Sequence, residues 1–169
     1  MQDHTQPVNL LLNNCVAGRL ATAIAVQEVI QGMPTDINTF VCGMTASVGS
    51  FVLLSGDMRL AEPRARVLIQ RSKFRINIKR KTIKPYSPGH PKSLREFYRI
   101  EDYIYKIYVE KTGQSYDIIQ QDLKRTRLMS AKEARHYGII DRIMMVDDIL
   151  LPEENLVPVG IEFTSLFIN

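Results

Sequence analysis

Residues 43–56 read GMTASVGSFVLLSG, a run of small residues around Ser47 that turns into an apolar stretch closed by Gly56. Just upstream, Asn38 to Cys42 (NTFVC) has the length and β-branched content of a buried strand. A strand, a tight small-residue turn and a helix is the local arrangement in which a serine hydroxyl is exposed at the turn. The next backbone N–H can then face a developing oxyanion. Gly43, Ala46, Gly49 and Ser50 supply the close approach that such a turn needs. Small-residue helix starts are also ordinary packing devices, so the pattern alone leaves both readings open for Ser47.

Outward from this turn the chain alternates strand and helix patterns. Pro7 to Leu12 reads as a short strand, and the segment ATAIAVQEVIQ reads as a helix ended by Gly32 and Pro34. Arg66 to Gln70 (RVLIQ) is a third strand. Leu94 to Lys111 carries Phe97, Ile100, Tyr103, Ile104, Ile107 and Tyr108 at steps of three and four, which predicts an amphipathic helix stopped by Thr112-Gly113. Ser115 caps a shorter helix to Leu123, and Ser130-Ala-Lys-Glu133 is a capping box opening a helix that ends at Tyr137-Gly138. The segment IIDRIMMV is a final strand. This alternation predicts an α/β domain with a largely parallel sheet.

Composition is that of an ordinary globular chain: 169 residues, 45% hydrophobic, 24% charged, formal net charge +4. No stretch approaches the roughly 18 apolar residues of a membrane span. The opening MQDHTQPVNLLL has neither a secretory n-region nor transit-peptide composition. Cys15 and Cys42 lie in apolar sequence and read as buried free thiols, and with only 3 histidines no metal-ligand cluster emerges. From Pro63 to Arg95 there is no acidic residue, while eleven of the 22 basic residues fall there. Only Phe74 and Tyr86 offer stacking in the Pro-interrupted core of that run, so a solvated insertion is preferred over a nucleic-acid surface.

Five segments resemble the proteolytic subunit of the Clp protease (the ClpP family). GMTASVGSFVLLSG is similar to its serine motif. RLAEPRARVLIQ, TGQSYDIIQQDLKR and LMSAKEARHYGIID are similar, in order and spacing, to the strand bearing its histidine, its handle helix and its Ser-Ala-x-Glu-Ala signature. LLLNNCVAGRL resembles a worn form of its Asn-Ser-Pro-Gly-Gly strand end. The resemblance runs over about residues 7–146 and implies a ClpP/crotonase-like fold: one domain over 1–169, short of the family's N-terminal portion, with an insertion at about 72–93 and a protruding handle helix.

The resemblance also implies roles. The nucleophile falls on Ser47 and the oxyanion donors on the amides of Gly18 and Val48, but the histidine position holds Gln70 and the aspartate position Thr126. Val16 and Ala17 replace the family's Pro and first Gly in the turn before Gly18. A serine hydroxyl needs a base to take its proton, and glutamine cannot serve. The implied function is therefore a non-catalytic, ClpR-like subunit needing no cofactor. It would sit with active ClpP and ClpR siblings in a heptameric double ring fed by an AAA+ Clp unfoldase, in the plastid stroma or otherwise the cytoplasm. The alternatives are an active serine endopeptidase and a crotonase-type protein that binds acyl-CoA.

Overall fold

A computed structural model describes residues 7–71 and 92–145. The expected insertion therefore lies outside the described residues except at Lys92 and Ser93, which already belong to the helix that follows it.

The described residues run through seven strands and five helices: β1 (Val8–Asn13), α1 (Leu20–Gln31), β2 (Ile37–Cys42), β3 (Met44–Ala46), α2 (Val48–Leu53), β4 (Met58–Ala61), β5 (Arg66–Ile69), α3 (Lys92–Thr112), α4 (Tyr116–Arg125), β6 (Arg127–Ser130), α5 (Ala131–Tyr137) and β7 (Arg142–Ile143). They form two sheets. One is four-stranded, entirely parallel, in the order β1-β2-β4-β7. The other is three-stranded, β3-β5-β6, with β3 parallel to β5 and β6 antiparallel. The largely parallel α/β expectation holds, while β3, β4 and β6 are strands too short to show a period of two in the sequence.

The core is built where helices cover these sheets. Val41, Leu53, Leu54, Ala61, Val67, Ile69, Ile119, Met129 and Ile139 are fully or almost fully buried in it. Strand β2 is buried along most of its length, as a parallel strand covered on both faces must be. Strand β1 is at the sheet edge, where Val8 and Leu11 remain 46% exposed.

Local chemistry sets the helix ends. In α4, Ser115 Oγ accepts from the Ile118 N–H, Asp117 sits in the first turn, and Lys124 and Arg125 sit in the last, all complementing the helix dipole. The Ser130–Glu133 capping box is present at the start of α5, with Ser130 N–H donating to Glu133 Oε2 at 2.8 Å. That hydrogen bonding, with Ser130 Oγ first, holds the Glu133 carboxyl below its ordinary range. Helix α5 ends on Gly138 at φ +93°, against the Thr112 carbonyl; a Cβ there would lie 2.3 Å from that oxygen.

Arg59 ties three elements together. Its backbone N–H and Nε donate to Asp141 Oδ2 (2.7 and 2.9 Å), and its Nη1 donates to the carbonyls of Lys111 (2.8 Å) and Gly138 (2.9 Å). Burial works against a charged Asp141, but the Arg59 hydrogen bonds and charge outweigh it and depress the carboxyl's pKa.

Two expectations need correction. Cys15 and Cys42 are free but half-buried rather than buried, and Cys42 sits beside a carboxylate. Burial first, then Glu62, pushes the Cys42 thiol up to about 12. On α3 the buried face is not quite the one the spacing marked: Tyr103 is 40% exposed, with its hydroxyl on Gln27 Oε1 (3.2 Å), while Tyr105 is buried. A tyrosine satisfies its apolar ring and its polar tip separately, so helical spacing alone does not rank these two.

Candidate functional site

The site is assembled by the three-stranded sheet. Ala46, the last residue of β3, is registered with Leu68 of β5, so Ser47 leaves the sheet beside the end of β5. Strand β5 closes at Ile69, directly before Gln70. Ile69 pairs with Arg127, the first residue of β6, and continuing that antiparallel register by one residue brings Thr126 opposite Gln70. Positions 47, 70 and 126, the outer two of them 79 residues apart in the chain, therefore share one end of one small sheet.

Ser47 has φ +53° and ψ −108°, a conformation costly for any residue with a side chain, and it stands between β3 and α2. Three hydrogen bonds hold its backbone: its N–H donates to the Leu68 carbonyl (3.1 Å), and its own carbonyl accepts from the Phe51 N–H (3.2 Å) and from the Ser50 side-chain hydroxyl (2.7 Å). Val48 and Gly49 follow as first-turn residues of α2, whose amides have no intrahelical acceptor by helix geometry. Gly49 is required by packing. A Cβ there would stand 2.2 Å from the Cys15 carbonyl oxygen and 2.5 Å from Thr45 Oγ1, so only glycine lets the segment leading to Gly18 lie against the start of α2.

A narrow cleft of about 450 Å³, counting its open mouth, runs beside Ser47. Its walls are Leu20, Val48, Phe51, Ile104, Tyr105, Tyr108 and Leu123; Gln70, Arg71 and Glu101 supply its polar edge. Arg71 is anchored twice: its N–H donates to the Leu123 carbonyl (2.6 Å), and its guanidinium pairs with the Glu101 carboxylate, Nη2 to Oε2 at 3.2 Å and Nε to Oε1. Tyr105 is buried beside this pair, and burial, then Glu101, raises its pKa.

The structure thus gathers Ser47, Val48 and Gln70 around one cleft. Thr126 is exposed and outside the cleft lining, and Gly18 is exposed and also outside it. Thr126 has φ +62°, strained for a β-branched residue. His136, the histidine within the described residues, lies on α5 against Lys132, Arg135 and Ile143, away from the Ser47 cleft. His4 and His90 lie outside the described residues, as does the basic run from Lys73 to Lys84. Arg71, Glu101 and Tyr105 were not legible as site residues, because nothing in the sequence joins the end of β5 to a helix thirty residues later. Among the described residues no cluster of His, Cys, Asp and Glu could hold a metal ion, and no helix is long and apolar enough to cross a membrane.

A mostly parallel α/β fold with a strained serine at a strand-to-helix turn, beside an apolar cleft, is a serine-elbow scaffold of the kind that hydrolases use. The chain belongs to the Clp protease family, whose model matches residues 1–147. It is similar to proteins described as the ATP-dependent Clp protease proteolytic subunit. That of Pinus contorta is 35% identical over 137 residues, covering 76% of this chain and 60% of that protein. That of Chaetosphaeridium globosum is 32% identical over 145 residues (85% and 69%), and that of Solanum lycopersicum 33% over 150 (83% and 66%). The chain thus spans 60 to 63% of the length of the two pine relatives it matches.

Proposed function

We propose that this chain is a non-catalytic, ClpR-like subunit of an ATP-dependent Clp protease core, contributing to ring assembly while sibling subunits cut. One observation carries the proposal: the cleft that holds Ser47 is lined, among the described residues, by Gln70 and by no histidine. Gln70 stands where the family resemblance calls for the base. A glutamine amide neither takes the serine proton nor returns it to a leaving amine. The carboxylate at the cleft edge, Glu101, is engaged with Arg71 and would have to give up that ion pair to act as a base. In a comparable serine protease, loss of the histidine alone lowers turnover about a million-fold.

The remaining parts of the proposal follow from the family. Partners would be ClpP and ClpR subunits in a paired seven-membered ring and an AAA+ unfoldase, with α3 serving in ring-to-ring contact. Relatives in Pinus and Solanum favour a plastid stromal setting. The family match leaves the acyl-CoA reading without support.

One feature favours a second reading, an active endopeptidase. Ser47 keeps a strained elbow conformation, which inert scaffolds have no chemical reason to maintain. A serine-directed phosphonofluoridate probe separates the two. Purified chain, alone and in the complex isolated through it, is expected to remain unlabelled at Ser47; labelling there overturns the non-catalytic reading. Native mass spectrometry of the same complex is expected to find sibling Clp subunits, and a lone homo-oligomer would count against the assembly role.

A further inference from the structure

We infer that Tyr108 and Ser50 form a positioning relay that holds the Ser47 elbow, so that the pose of the Ser47 side chain depends on where helix α3 sits. The relay is a directed chain of hydrogen bonds. Ser50 Oγ has one proton and gives it to the Ser47 carbonyl (2.7 Å), so at 3.0 Å the Tyr108 hydroxyl must be the donor to Ser50 Oγ. Both side chains are buried, Ser50 fully and Tyr108 at 2% exposure. Burial pushes Tyr108 up to about 12, so its hydroxyl keeps its proton throughout the physiological range. In a buried chain each bond polarises the next, which strengthens the hold on the Ser47 carbonyl beyond that of a lone helical bond.

The Ser47 carbonyl is the atom that reports ψ of the strained residue. Its N–H is already held by Leu68 of β5, so the sheet restrains one side of the elbow and α3 the other. Tyr108 is itself set along α3 by its neighbours: Thr112 Oγ1 donates to the Tyr108 carbonyl (2.5 Å), and Arg59 grips Lys111 one turn on (2.8 Å). A shift of α3 that lengthens the Tyr108–Ser50 contact leaves Ser50 Oγ with an unmet acceptor in the core and frees the elbow to relax. The relay is independent of whether a base is present, so it stands or falls apart from the non-catalytic reading.

The test needs no turnover. In the full chain, Ser47→Cys places a thiol at the elbow, whose reactivity depends on how it faces the first-turn amides of α2. Its alkylation by iodoacetamide is followed against pH by mass spectrometry of the peptide containing position 47, which separates it from Cys15 and Cys42. Adding Ser50→Ala or Tyr108→Phe is expected to lower the rate at pH 7 at least threefold and to move the profile to higher pH. Tyr103→Phe removes another α3 hydroxyl bond, the one to Gln27, and is expected to leave the profile unchanged. Ser50→Ala keeps a good helix former and carries the test if Tyr108→Phe folds poorly. An unchanged profile in the Ser50→Ala background, or an equal shift in the Tyr103→Phe background, overturns the relay.

Discussion

The Ser47 amide donates to the Leu68 carbonyl at 3.1 Å, which pins the elbow to strand β5 two residues before Gln70. The residue at position 70 thus leaves a strand whose position relative to Ser47 is already set by the backbone.

Placing a base at position 70 and a carboxylate at position 126 should therefore supply chemistry. Gln70→His with Thr126→Asp is expected to raise hydrolysis of a short fluorogenic peptide by about 100-fold or more over the parent, the usual yield of a positioned general base. Gln70→His alone should give less, because nothing then orients the imidazole. Adding Ser47→Ala should return the rate to the parent's. A double variant no better than the parent would mean that the strand ends do not bring these positions into reach.

Gly49 should tolerate no side chain. Its Cβ would meet the Cys15 carbonyl oxygen, a backbone atom held by the Ala46 N–H at 2.9 Å. Gly49→Ala is expected to cost about 2–4 kcal/mol through overpacking, seen as a lower urea midpoint with an unchanged m-value.

Thr126 should be improvable in stability. At φ +62° and ψ +109° it occupies a region open mainly to glycine. Thr126→Gly relieves about 1–3 kcal/mol of strain and gives back about 0.5–1 kcal/mol in chain entropy. A net gain of about 1 kcal/mol should show as a melting temperature several degrees higher.

Acid should act through Asp141. Its folded pKa is depressed below the ordinary 3.8, so the stabilisation it brings is present above that pH and is lost as pH falls through the lower folded value. Asp141→Asn should cost about 1–2 kcal/mol at neutral pH, discounted because the carboxylate is 37% exposed. Below pH 4 the gap between variant and parent should narrow, as measured by denaturant midpoints across pH.

Long, strongly patterned elements were legible from residues alone. α1, α3, α4 and α5 follow from apolar spacing with Gly32, Ser115, Ser130 and Gly138 as punctuation, since helix signals are local. Three- and four-residue strands such as β3, β4 and β6 carry too few residues for any period, and their pairing partners supply the definition.

For the site, the sequence by itself determined which side chains exist: a serine in a small-residue turn, and Gln70 and Thr126 where the family resemblance calls for a base and its carboxylate. Only the tertiary structure decided that β3, β5 and β6 lie side by side, which brings the three positions to one sheet end, and that Arg71, Glu101, Tyr105 and Tyr108 share the Ser47 cleft. Chemical identity is a property of each residue, whereas proximity between residues dozens of positions apart arises from strand register and core burial, which no local stretch encodes.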